Sequence, residues 1–302
     1  MINSRKLLII ITGPTAVGKT SFSIELAKLL HTEIISADSR QFYREMKIGT
    51  APPSLQELND IKHHFIGHLS VHDHYNVSKY ESDAVNRINE LFRTYDKLIM
   101  VGGSGLYINA VIHGIDDLPD PDETTRNYFK SLYANEGIES LRKLLWKSDP
   151  EYYAQVDLKN PSRLIRALEV CFTTGKKYSQ LRKNEIKQRN FRHIIIGLNR
   201  QRDELFEIIN RRTDKMIEHG LVEEAAGLYS LRTLNALNTV GYKEIFEYFD
   251  GIITLEQAIE NIKTNTRRYA KRQLTWFGKI PEIHWFQPSE KDKIFKFIHQ
   301  NS

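Results

Sequence analysis

Apolar residues along this chain fall into two rhythms. Four short unbroken runs, 6–12, 33–37, 97–101 and 193–198, are rich in branched side chains and bounded by turn-forming residues. They predict strands buried on both faces. Between them the apolar positions recur at helical spacing. The clearest case is 20–30, which carries Phe22, Ile24, Leu26, Ala27, Leu29 and Leu30. Strands separated by helices indicate a parallel sheet joined by crossover helices, an α/β fold.

From about residue 115 to residue 192 that alternation stops. The patterns over 124–133, 137–146, 150–156 and 161–172 are all helical. Two starts are well marked, Ser148-Asp149-Pro150-Glu151 and Asn160-Pro161, each placing a capping residue at or beside a first-turn Pro. The expected layout is therefore a core built from 1–114 and 193–302, with an all-helical insertion domain over 115–192. Beyond the fourth strand, helices are expected over 202–229 and 255–277.

Composition adds two expectations. The apolar run 7–11 is ended by Gly13 and Pro14, too soon for a signal peptide, and no stretch approaches the ~20 apolar residues of a membrane span. One cysteine, Cys171, sits within a helical pattern and has no partner for a disulfide. It reads as a buried spectator thiol. Together these suit a soluble, cytoplasmic protein with no membrane partner, expected as a monomer.

The net charge of +5 conceals an uneven distribution. From Lys159 to Arg192 there are ten Lys or Arg against Glu169 and Glu185. From Asn261 to Ile280 there are six basic residues and no acid, leaving the rest of the chain net acidic. Basic charge gathered in two tracts suits a polyanion, although a solvated basic helix gives the same composition.

Gly13-Pro14-Thr15-Ala16-Val17-Gly18-Lys19-Thr20 fits the phosphate-loop pattern G-x-x-x-x-G-K-[ST], after a strand and before a helix. Such a loop turns backbone N–H groups onto phosphate oxygens. Lys19 adds a cation, and the Thr20 hydroxyl suits Mg²⁺. A diphosphate or triphosphate is the expected ligand. The strand 97–101 runs into Gly102-Gly103-Ser104-Gly105 rather than into the Asp usual in nucleotide hydrolases. The carboxylate comes instead after the second strand, at Asp38. Strand C-termini line the ligand crevice of an open α/β sheet, so Asp38 should face what the loop holds. Capping of a following helix is its other reading.

Several further motifs join these: ISADSRQFYREMKIGTAPP, VGGSGLY, PSRLIRALEV, VGYKE, KRQLTW and the series Arg212, Met216, Gly220, Leu221, Glu224. In that order, and over nearly the whole chain, they resemble the tRNA dimethylallyltransferases in their bacterial form. The resemblance implies a P-loop NTPase-like core with a helical insertion that contacts tRNA. It implies transfer of a dimethylallyl group from dimethylallyl diphosphate to the exocyclic amine of the adenine 3′ to the anticodon, with Mg²⁺. Lys19, Thr20 and Arg212 would serve the diphosphate and Asp38 the amine; Arg211 lacks the four-residue spacing to Met216. For the tRNA anticodon stem-loop the resemblance carries over Asp38, Ser39, Arg40 and Gln41, and Ser162, Arg163, Leu164, Ile165 and Arg166. Ser104 and Arg126 would be single contacts. Arg268 and Arg272 share a helical stripe with Arg267 and Lys271, followed by Trp276, and extend the expected RNA surface.

The sequence departs from the family at Ser104, where Thr is usual, and at Asn160-Pro161-Ser162, which lacks the common Gln before the Arg. It carries no C-terminal two-Cys, two-His finger. Five histidines between His63 and His74 suggest a metal, but the family has a His pair here with no metal role, and none is expected. Three other readings remain: an adenylate isopentenyltransferase using free nucleotide, a P-loop small-molecule kinase, and a non-catalytic RNA-binding module. The first would not need two basic tracts, the second leaves VGGSGLY and KRQLTW unexplained, and the third leaves Asp38 idle.

Overall fold

The computed structural model describes residues 6–120 and 122–302. Its centre is a six-stranded sheet, parallel throughout, in the order β3-β2-β4-β1-β5-β6. The strands are β1 (Leu7–Thr12), β2 (Ile34–Ser36), β3 (His63–His64), β4 (Lys97–Val101), β5 (Arg192–Leu198) and β6 (Ile283–Phe286). All six residues of β1 are buried, as befits the strand paired to β4 on one side and β5 on the other. At roughly 1.5–3 kcal/mol for each large apolar side chain buried, this strand anchors the core. The four expected strands are present. The two edge strands were not expected, because β3 is only two histidines long and β6 (Ile-His-Trp-Phe) has no apolar run.

Helices α1 (Lys19–Leu30), α2 (Leu55–Asp60), α3 (Val77–Leu91) and α4 (Gly105–His113) belong to the crossovers of the first half. The insertion region holds α5 (Glu123–Glu136), α6 (Ile138–Ser148), α7 (Pro150–Tyr153), α8 (Pro161–Thr174) and α9 (Tyr178–Leu181). The chain then returns through α10 (Arg202–Glu218), α11 (Leu221–Leu228), α12 (Tyr242–Phe249), α13 (Leu255–Phe277) and α14 (Lys291–Gln300). The single helix expected over 202–229 is broken at Gly220, whose φ of +94° ends α10 and opens α11. Left-handed backbone of that kind favours glycine.

The chain divides into two compact units, residues 1–112 with 188–302, and His113–Lys187. The segment 188–191 goes with the first. Arg189 donates to the carbonyls of Ala110 and Val111 and pairs with buried Glu81, and Phe191 packs on Phe92. The second unit has its own core, with Phe129, Leu141, Leu145, Tyr152, Leu164, Ala167 and Leu168 contributed by α5 to α8. Wholly buried Asp149 ties it together, capping α7 through the Tyr152 N–H and accepting from the N–H and hydroxyl of Ser179. Cys171 is buried on α8. Among the described residues no helix is long and apolar enough to cross a membrane.

Candidate active site

The phosphate loop leaves the C-terminal end of β1. Gly13 has a φ of +137°, and a Cβ there would lie 2.2 Å from the Leu198 carbonyl oxygen, so only glycine fits. Gly18, at φ +105°, turns the chain into α1, whose first turn has no side-chain cap. Uncapped N–H groups at a helix start are ready donors for an anion. Val17 is wholly buried and pins the middle of the loop. Lys19 folds back so that Nζ donates to the carbonyls of Gly13 (3.0 Å) and Pro14 (2.7 Å).

Two arginines reach this loop. Arg212 on α10 donates to the Thr15 hydroxyl at 2.8 Å, whereas its neighbour Arg211 is exposed. Arg200, just beyond β5, donates from Nε to the Val17 carbonyl at 3.0 Å. Burial lowers the Lys19 pKa to about 8; the Asp38 charge opposes the shift and Arg212 adds to it. Burial also lowers the Arg212 pKa, again against the pull of Asp38. Lys19, Arg212 and Asp38 therefore share one electrostatic neighbourhood.

Asp38 follows β2, two strand positions from β1 with β4 between them. Close packing fixes the turn that carries it. The Ala37 N–H donates to the Val101 carbonyl at 2.7 Å, and a Cβ on Gly102 would lie 2.3 Å from the Ala37 oxygen. Asp38 Oδ1 accepts from the Arg40 N–H at 3.0 Å, a local turn. The next helix, α2, begins far downstream and is capped by Ser54, so the helix-capping reading of Asp38 does not apply.

The neighbours of Asp38 are held one by one. Ser104 Oγ accepts from the Ser39 N–H (3.1 Å) and donates to the Ser39 hydroxyl (3.2 Å), joining the two loops. The Arg40 guanidinium donates to the carbonyls of Asn235 and Ala236, which engages much of its donor capacity within the protein. The Gln41 amide donates to the carbonyls of Thr50 and Ala51.

Sequence reasoning did not single out Gln273. This side chain on α13 is 6% exposed; its Oε1 accepts from the Thr15 N–H (2.8 Å) and its Nε2 donates to the Gly103 carbonyl (2.9 Å). It bridges the phosphate loop and the loop after β4. Because Thr15 donates to Gln273 and Pro14 has no N–H, the N–H groups left for phosphate come from the later part of the loop. A Cβ on Gly105 would lie 2.2 Å from Nε1 of Trp276, one turn further along α13. The KRQLTW motif is thus a packing and bridging element as well as a basic one. Tyr269, on the same helix, keeps 37% of its surface exposed; partial desolvation and next the Asp38 charge raise its pKa.

Arg268, Lys271, Arg272 and Trp276 of α13, with Lys279 just beyond its end, line a surface cavity. Arg267 does not join them. It donates to Asn210 and Thr264, turned towards α10. In the second unit, Asn160 caps α8, and Ser162 and Arg163 are exposed at its first turn. The stretch 162–166 does not present one continuous face. Leu164 is wholly buried in the core, and Ile165 is partly buried against it, as a helix with an apolar stripe requires. Arg126 pairs with buried Glu169 at 3.0 Å, and Arg166 lies 3.8 Å from the same carboxylate. Both arginines carry a structural load.

In the histidine segment, His64 Nε2 is hydrogen-bonded to the Glu33 carboxylate at 2.6 Å, which Tyr95 also contacts, and burial lowers the His64 pKa. Among the described residues no group of three or more His, Cys, Asp or Glu is placed to hold a metal ion.

A model of the IPP transferase family matches residues 41–280. A tRNA dimethylallyltransferase of Christiangramia forsetii is 53% identical over 292 residues, covering 96% of this chain and 97% of its own length. The full-length tRNA isopentenylpyrophosphate transferase of Bacillus halodurans superimposes with a TM-score of 0.71 at 39% identity, over 99% of this chain and 97% of that one. A eukaryotic dimethylallyltransferase acting on tRNA gives a TM-score of 0.75 at 28% identity, covering 93% of this chain and 74% of its own.

Proposed function

Because the chain belongs to the IPP transferase family, we propose that it moves a dimethylallyl group from dimethylallyl diphosphate onto tRNA, at the exocyclic amine of the adenine 3′ to the anticodon. The amine nitrogen attacks the allylic carbon, the carbon–oxygen bond to diphosphate breaks, and the amine proton passes to the Asp38 carboxylate. Lys19, Arg212 and the open first turn of α1 take up the negative charge growing on the leaving diphosphate. The observation that carries this reading is the shared neighbourhood of Lys19, Arg212 and Asp38, with two cations on the phosphate loop and one carboxylate across β4 from it.

Mg²⁺ fits the donor set here. The Thr20 hydroxyl is a hard oxygen ligand at the loop, and no protein cage of carboxylates surrounds it among the described residues. Mg²⁺ is ordinarily held in that way, by one or two protein oxygens together with substrate phosphate and water. When bound it would neutralise diphosphate charge. An adenine stacked in an anticodon loop has to leave its stack before its amine can reach Asp38. Ser39 and Gln41 follow Asp38 on its loop and Ser104 is bonded to Ser39, so these three would receive it, while Arg163, Arg268 and Arg272 are exposed and would meet phosphates.

The test is to incubate the protein and Mg²⁺ with labelled dimethylallyl diphosphate and either tRNA or AMP. Label is expected in tRNA. Label in AMP alone would favour the free-nucleotide enzyme, and tRNA-stimulated ATP cleavage as the main activity would sink the prenyl-transfer reading.

A further inference from the structure

The motif G-L-x-x-E and the motif VGYKE place no residue at the phosphate loop, yet they converge on one spot. Glu224, in the first turn of α11, accepts hydrogen bonds from four donors. Three are consecutive backbone N–H groups, Lys47 (2.7 Å), Ile48 (2.8 Å) and Gly49 (3.0 Å). The fourth donor is the Tyr242 hydroxyl, at 2.6 Å. The Tyr242 ring is wholly buried and lies so close to Gly49 that a Cβ there would be 2.5 Å from it. Nothing else in the chain collects three successive loop N–H groups on one carboxylate among the described residues. Left without that acceptor, each group would lose a charge-assisted bond.

The clamped residues lead directly to the acceptor side of the site. Thr50 and Ala51 follow Gly49, and Ala51 is held at a φ of +45°, a strained value for a residue with a Cβ. Their two carbonyls are the oxygens to which the Gln41 amide donates, at 3.2 and 3.1 Å. With its NH₂ group fixed there, the Gln41 side chain has one orientation, and its carbonyl oxygen is set as an acceptor. Gln41 in turn is three residues from Asp38, on the same loop, where its own backbone oxygen accepts from Gly67. The chain of bonds runs from Glu224 and Tyr242, through 47–51, to Gln41. It does not touch the phosphate loop.

We propose that Glu224 and Tyr242 are positioning residues for the acceptor base: acting through the 47–51 loop, they fix Gln41 beside Asp38 and leave the diphosphate subsite alone. This rests on the tRNA-prenylation reading above. The expected signature is a split between substrates. Glu224→Gln has only one oxygen to offer in place of two and sets an NH₂ group against N–H donors. It should lower the single-turnover rate on an anticodon stem-loop about 10²-fold, the scale of an approximately 1 Å displacement at a reacting centre. Dimethylallyl diphosphate affinity should stay within about twofold of wild type. Tyr242→Phe, which leaves the three backbone bonds to Glu224 in place, should give a smaller loss of the same kind.

The experiment is a double-mutant cycle of Glu224→Gln and Gln41→Ala, with Tyr242→Phe and Gln41→Ala as a second cycle should Glu224→Gln not fold. If the clamp acts through Gln41, the double variant is no slower than the worse single one. Multiplying losses, or a parallel loss of donor affinity, would overturn the inference and make Glu224 a general structural clamp. Wild-type protein that fails to prenylate tRNA would overturn the functional reading instead, so the two failures are distinguishable.

Discussion

The ionisable groups at the phosphate loop set one another's behaviour. Lys19 is buried enough for its pKa to fall to about 8, and Asp38 is what keeps it from falling further. Removing the Asp38 charge therefore has two separable effects. Asp38→Asn loses the proton acceptor, so turnover on tRNA should fall about 10²–10⁴-fold. It should also let the Lys19 pKa drop. Donor binding needs the charged ammonium, so in wild type it should weaken as pH rises through about 8, and in Asp38→Asn that weakening should begin at lower pH. The measurement is a pH series of dimethylallyl diphosphate affinity beside single-turnover rates. A variant that keeps its rate per bound complex would return Asp38 to a role in recognition. So would an unmoved pH edge, if tRNA binding fell with it.

Among the elements, α13 shows best what was legible beforehand and what was not. Its span, Leu255–Phe277, follows from a Thr254/Gln257 capping box and buried residues at helical spacing. Its basic stripe was equally plain, except that Arg267 turns inward to Asn210, a partner that only the packing of α10 supplies. Gln273 was invisible for the same reason. A glutamine amid Lys and Arg reads as a solvated polar residue until the fold brings Thr15 and Gly103 to its two ends. The phosphate loop itself was readable because its chemistry is local, whereas the edge strand of His63 and His64 forms only because β2 lies beside it. Gln273→Ala should orphan the part-buried Thr15 N–H and the buried Gly103 C=O, the latter at about 1–3 kcal/mol unless water enters. The expected result is a melting temperature lower by several degrees and dimethylallyl diphosphate affinity weakened about tenfold, measured by thermal melting with and without donor. Unchanged donor affinity would mean the bridge holds up the fold without shaping the phosphate site.

For the molecule as a whole, charge is sorted by position, and that sorting separates a tRNA enzyme from one that uses free nucleotide. A mononucleotide is too short to meet charge spread along a helix, whereas a stem-loop presents a phosphate every few ångströms. The arginines expected at the RNA surface do not contribute alike. Arg126 and Arg166 are engaged by Glu169 inside the second unit, and removing either would unbalance a buried carboxylate. Arg163 is exposed on α8, and Arg268 and Arg272 are exposed on α13 with Lys271 near them. Replacing Arg268 and Arg272 with Ala, or Arg163 alone, should therefore weaken tRNA binding without loss of stability. Each phosphate contact removed should reduce the slope of log affinity against log salt by about one unit. Donor affinity should be unchanged, because the phosphate-loop contact from α13 comes from Gln273 and not from Arg268 or Arg272. Arg166→Ala should behave differently, losing stability along with affinity. A salt titration of tRNA binding for wild type and these variants, read beside their melting temperatures, decides the matter. Slopes that stay at the wild-type value in every variant, with AMP prenylated as fast as tRNA, would count against an RNA surface on either tract.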